Sequence, residues 1–322
     1  MQDAAPSGAT ASTAGWFTGA YAPDRAPAPA RDIPRVNVLP AASAREGARL
    51  VAMRRDFDAG GEYVAFRGER LALCRLTWHG HTWFSRESHV ASSASATTSY
   101  DIVQADMDGL AYVSAADPQE GWSRQIVWRH GAFLAICDGA PATEGVHDLP
   151  VAQGVVREGS AAAGGEILRS GMSAIGVTQL STPGGSAGMD GRTVSIIALG
   201  GSHAAASDGG PRSFAIGSAT CHLGDAGADG ARVRAACTVL DDDAVWSVDF
   251  EGVEVDGRAL LASSSPVRLH LRPSRESGRV QVHSPCRLAW NDGADGIDLD
   301  AGEYDVQFHD FDWAGLARLS LA

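Results

Sequence analysis

The sequence contains no lysine; all 26 basic residues are arginine. Guanidinium groups recognise carboxylates bidentately, yet the same bias accompanies an excess of Ala, Gly and Asp, as GC-rich coding produces, so the absence by itself assigns no function. Basic residues are also outnumbered by 39 acids, for a formal charge of −13. That balance argues against nucleic acid and anionic membrane as partners. No apolar run reaches membrane-spanning length. The opening MQDAAPSGATASTAGW lacks the basic start and apolar middle of a signal peptide. Five cysteines show neither CxxC nor metal-type spacing. Because the count is odd, at least one thiol lacks a disulfide partner in the chain. Cys221 and Cys237 are the nearest pair and the one candidate disulfide; the alternative is buried thiols acting as small apolar side chains. There is no GxSxG elbow, Walker loop or dinucleotide fingerprint.

Helical periodicity is nearly absent as well, whereas glycine is abundant at 38 residues. Short strands and turns are therefore expected. Residues 1–46 are rich in Ala, Pro, Ser and Thr and read as an extended or disordered lead-in. From there to residue 322 the pattern predicts an all-β domain, with a Gly-rich stretch at 157–191 as the one place for a subdivision. Strands are expected at 50–54, 62–66, 70–78, 100–105, 110–114, 124–129, 132–137, 193–199, 213–216, 233–240 and 244–255. The run 90–99 reads as an edge strand or a loop. In the tail, Val267, Leu269 and Leu271 alternate with polar residues, as do Val280 and Val282, Leu288 and Trp290, and Tyr304, Val306 and Phe308. Period-two alternation suits a large antiparallel β-sandwich of two packed sheets, a dozen or more strands and few or no helices.

The segment Gly121–Ala140 reads as a hairpin turning at Arg129-His130-Gly131. Arg124 and Asp138 fall opposite one another near its open end, placed to meet as a structural ion pair. Trp122 and Trp128 flank it as core residues. This order of Arg, apolar strand, turn, apolar strand and Asp resembles the β-sandwich domain of heparinase II/III-like polysaccharide lyases. The likeness extends over about residues 48–150, through Leu50–Phe57 with Gly61–Gly68, through His79-Gly80-His81, and through Ala105–Tyr112.

The densest chemistry lies in Trp78-His79-Gly80-His81-Thr82-Trp83-Phe84-Ser85-Arg86-Glu87-Ser88-His89. On a strand His79 and His81 share a face, where paired imidazoles can bind a metal such as zinc or serve as a general base. Trp78 and Trp83 suit sugar stacking, and Arg86 suits a uronate carboxylate; His89 completes the candidate substrate set. Each residue also has an ordinary structural reading, as a solvent-facing or core side chain. The resemblance implies β-elimination on acidic polysaccharide, with His79 and His81 catalytic or metal-binding, in a periplasmic or extracellular setting. In the family the motif continues His-x-His-x-Asp, whereas Trp83 stands here at the Asp position. Those lyases also carry an α-helical toroid that supplies much of the cleft. Nothing in this sequence reads as one, so a helical domain or subunit is the implied partner. Two acidic runs, Asp241–Asp243 and Asn291–Asp300, invite calcium, but the solvated turn is the favoured reading of both. Two readings stand: a lyase-type sandwich, or a non-catalytic carbohydrate-binding or assembly module.

Overall fold

A computed structural model describes residues 36–39, 50–55, 61–67, 71–85, 101–117, 122–139, 151–161, 165–181, 193–206, 212–228, 230–242, 244–308 and 310–317. Among these the fold is almost entirely antiparallel β, in three sheets, each cut from one continuous stretch of chain. The first sheet is a meander of β1 (Val36–Leu39), β2 (Leu50–Arg54), β3 (Tyr63–Arg67), β4 (Ala72–Trp78) and β5 (His81–Ser85). Here β1 arises within the segment read as a lead-in and pairs with β2.

The second sheet holds β6 (Asp101–Met107), β7 (Leu110–Asp117), β8 (Trp122–Arg129), β9 (Phe133–Asp138), β10 (Val156–Ala161), β11 (Gly165–Ser170), β12 (Ser173–Ser181) and β13 (Thr193–Leu199). Their spatial order is β10-β11-β12-β13-β9-β8-β7-β6. The Gly-rich 157–191 stretch thus supplies strands of this sheet. The third sheet comprises β14 (Ala205–Ala206), β15 (Ser213–Ile216), β16 (Ala219–Leu223), β17 (Ala226–Ala228), β18 (Ala231–Arg234), β19 (Cys237–Asp241), β20 (Ala244–Val255), β21 (Arg258–Arg272), β22 (Ser277–Val282), β23 (Cys286–Trp290), β24 (Asp295–Leu299) and β25 (Gly302–Gln307). One short helix, α1 (Trp313–Ala317), follows. The strand expected over 233–240 is divided at Ala235-Ala236, where the Ala236 N–H bonds the Val248 carbonyl. Its two halves pair with different parts of β20.

Three sheets rather than two follow from the second sheet's composition. Along β9, Leu134 and Ile136 face the first sheet, packing with Val64, Phe66, Leu76 and Trp83. Phe133, Ala135 and Cys137 face the third, packing with Phe214, Cys221 and Trp246. A strand buried on both faces reads as a continuous apolar run, and β9 is buried at every position. A third core lies on the far face of the third sheet, where Val253, Leu261, Leu269, Val280, Leu288 and Phe308 enclose one another. The long β20 and β21 carry register shifts near Phe250 and Gly252, and such bulges bend strands. All the apolar tail residues named above belong to this core or pack on it.

Arg124 and Asp138 are direct register partners of β8 and β9. They form a buried bidentate pair at 2.5 and 2.9 Å, as expected from the sequence. The third guanidinium nitrogen donates to the Leu71 carbonyl at 2.6 Å, fastening the second sheet to the first. Trp128 is core, 1% exposed; the side chain of Trp122 and the run 90–99 lie outside what is described. None of the five cysteines is in a disulfide. Cys221 and Cys237 lie diagonally on β16 and β19, buried between the second and third sheets, and burial pushes the Cys221 thiol pKa up. The disulfide candidate is therefore a pair of core thiols.

Candidate functional site

The β4–β5 hairpin carries the sequence's densest cluster. Trp78 and His81 are register partners, leaving His79-Gly80 as a two-residue turn. Both turn residues have positive φ, 49° and 74°, the backbone a tight hairpin of this type requires. His79 is therefore not on a strand and does not share a strand face with His81. It stands exposed at the tip with its ring stacked on Trp78, centroids 4.3 Å apart. His81 is half-buried, and its Nδ1 lies 3.0 Å from the Ser170 hydroxyl on β11. Among the described residues no three His, Cys, Asp or Glu side chains converge to hold a metal ion.

Trp83 is 0% exposed, within the core between the first two sheets. A register shift between Leu76 and Thr77 accompanies burial of two successive residues, Trp83 and Phe84. The expectation that Trp83 stacks on sugar is thus corrected: the ring is a packing element. Arg86 and His89 lie outside the described residues.

What the hairpin does build is a groove of ≈420 Å³, lined by Trp78, Ile167, Arg169, Met172, Ser173, Ala174, Gly200 and Gly201. Trp78 is half-buried there, and Met172 at the β11–β12 turn is fully exposed. Arg169 on β11 reaches Glu158 on the neighbouring β10. The floor depends on close backbone approach. A Cβ on Gly176 of β12 would lie 1.9 Å from the Ser202 carbonyl oxygen, so only glycine lets the 200–202 segment cross. The arrangement offers an aromatic ring, one cation and adjacent main-chain polar groups on an open surface.

A second polar constellation escaped the sequence reading. On β21, Arg268, His270 and Arg272 occupy the face opposite Val267, Leu269 and Leu271, and meet the β6–β7 turn of the second sheet. Arg272 pairs with Asp108 at 2.8 Å, and Arg268 donates to the Gln104 carbonyl. Trp246 is held between two flat cations or rings, with His270 stacked at 5.0 Å and Arg129 at 4.4 Å. Its indole N–H donates to the Asp108 carbonyl at 2.8 Å. Burial, aided by the nearby Arg272 charge, lowers the His270 pKa to about 4, so the imidazole is neutral at neutral pH. The signal in the sequence was the polar half of the alternation, three cationic or titratable residues at i, i+2 and i+4 of one strand.

The acidic runs are tied into structure. Burial alone would raise the Asp241 pKa, but its carboxylate accepts from the Asp242 backbone N–H, pairs with Arg129 at 2.9 Å and accepts from Ser218, and these contacts together hold the pKa low; Asp243 lies outside the described residues. In the second run Asp292 pairs with Arg258 at 2.8 Å and Asp298 with Arg287 at 3.3 Å. No known protein-family model matches the chain, and no curated protein resembles it significantly in sequence.

Proposed function

We propose that this chain is a non-catalytic carbohydrate-binding β-module for acidic polysaccharide, related to the sandwich half of heparinase II/III-like lyases. The observation carrying the reading is the Trp78 groove. A pyranose presents an apolar C–H face that suits an indole ring, while the terminal nitrogens of Arg169, whose Nε is held by Glu158, offer a charge-assisted bond to a uronate carboxylate. Ser173 and the main chain at Gly200-Gly201 supply partners for hydroxyls. The open groove admits a polymer running through it rather than a single enclosed sugar.

Binding is favoured over β-elimination because proton abstraction needs a base held against the substrate with a partner that stabilises the resulting charge. His79 stacks at a turn tip, His81 is engaged by Ser170, and the two do not act from one face. The helical partner domain or subunit that the resemblance implies would supply that chemistry. The test is affinity electrophoresis and calorimetry against alginate, pectin, chondroitin and heparan types. Saturable binding to at least one polyuronate, weakened about tenfold or more by Trp78→Ala, supports the reading. Absence of binding to all four would refute it. Ultraviolet-absorbing unsaturated products that vanish in His81→Ala would establish the lyase reading instead.

A further inference from the structure

We infer that the cleft between the Asp106–Asp108 turn and strands β21–β22 is a second binding site, for a small hydroxylated monocarboxylate of the sugar-acid class. The cleft has a volume of ≈260 Å³ and combines Arg268, Arg279 and Gln281 with Asp106, Asp108 and Glu303. The register ladder sets the third-sheet members side by side: Arg268 opposite Gln281, His270 opposite Arg279, and Gln281 opposite Glu303.

Most of these charges are already compensated. Arg272 holds Asp108 at 2.8 Å, Arg279 holds Asp305 at 3.3 Å, and Gln281 donates to Glu303 at 2.5 Å. Arg268 is the exception. It is half-buried, and no carboxylate lies within ion-pair reach of it among the described residues. Among the described residues its Nη2 bonds the Gln104 carbonyl, and its Nε is shut away from water with no acceptor. A guanidinium withdrawn from solvent is costly unless its charge is matched; Asp249 offsets part of that cost, but burial still outweighs it and lowers the Arg268 pKa, so an anion in the adjoining cleft relieves the remainder. The acids lining the cleft select among anions. Asp106 of the second sheet and Glu303 of the third repel a doubly charged phosphate but accept hydrogen bonds from hydroxyls. A single carboxylate carrying several hydroxyls satisfies both the arginine and the acids. The neutral His270 adds no competing charge. This site is independent of the Trp78 groove, being formed by the seam between the second and third sheets.

The test uses the full chain with glucuronate and gluconate as probes, and glucose and inorganic phosphate as controls. Trp246 reports the event, since its indole N–H bonds the Asp108 carbonyl beside the cleft. Titration of either acid is expected to shift the Trp246 indole resonance saturably. Arg268→Gln should weaken the effect about tenfold or more, and Trp78→Ala should leave it unchanged. Where Arg268→Gln does not fold, Glu303→Gln serves in its place and should weaken the acid's binding by removing a hydroxyl acceptor. No saturable shift up to about 10 mM overturns the proposal, as does equal binding of phosphate or glucose. A shift abolished by Trp78→Ala but not by Arg268→Gln overturns it too, and would return the sugar acid to the groove.

Discussion

Replacing Asp138 by Ala would leave Arg124 charged and enclosed. The two side chains are 7% and 9% exposed, so water cannot take over the missing partner. Breaking a buried pair from one side costs about 3–5 kcal/mol. At an unfolding entropy of about 2.1 cal/mol/K per residue, a chain of 322 residues loses roughly 4–7 °C of melting temperature. The Arg124 guanidinium also donates to the Leu71 carbonyl, so the loss spreads to the seam between the first two sheets. Hydrogen exchange should accelerate in β4 as well as in β8 and β9. The double variant Arg124→Met with Asp138→Leu removes both charges. It should recover about 2 kcal/mol of the loss, leaving about 1–3 kcal/mol for the orphaned Leu71 carbonyl. Urea unfolding and calorimetry of the wild type, Arg124→Met, Asp138→Leu and the double variant close the cycle, with Asp138→Ala measured beside them. A cost for Asp138→Ala below about 1 kcal/mol, the range of exposed pairs, would refute the reasoning. So would a double variant as damaged as the sum of the singles.

His270 makes stability depend on pH. Its folded pKa of about 4 lies below the ordinary value, so the unfolded state takes up the proton first. The contribution is intact above about pH 6.5 and is lost as pH falls toward 4; by about pH 5 the loss is about 1–2 kcal/mol after allowance for solvent screening. Denaturant midpoints at the two ends of that window should show it, and His270→Phe should flatten the difference. Thiol titration of the native protein should find Cys74 alone reactive, because the other four cysteines are buried, and denaturation should reveal all five. Three thiols after denaturation would mean a disulfide has formed. Gly176→Ala should destabilise by about 1–3 kcal/mol or more through the clash with the Ser202 carbonyl, measured by chemical unfolding.

Local pairing was the legible part of this fold. The 121–140 hairpin, its Arg124–Asp138 pair and the alternation of Val267, Leu269 and Leu271 all depend on neighbours close in sequence or on a period of two. The third layer was harder to foresee, since a run such as Phe133–Cys137 does not say what covers its second face. At residues 78–89 the glycine decides the geometry: His79-Gly80 is a turn, not a strand, which takes His79 off the strand face of His81. A register shift then turned Trp83 inward, and nothing in the spacing of aromatic residues signals such a shift. The β21 cleft was hidden for another reason. Arg272 meets Asp108 across 164 residues of sequence, so its polar face acquires meaning only once the second sheet is laid upon the third.

The most direct test of the carbohydrate-binding account is a hydrogen-exchange footprint of the chain with and without an oligouronate. The account predicts protection confined to residues 78–81, 167–174 and 199–201, the walls of the Trp78 groove. Protection absent from those segments at saturating oligosaccharide would contradict it.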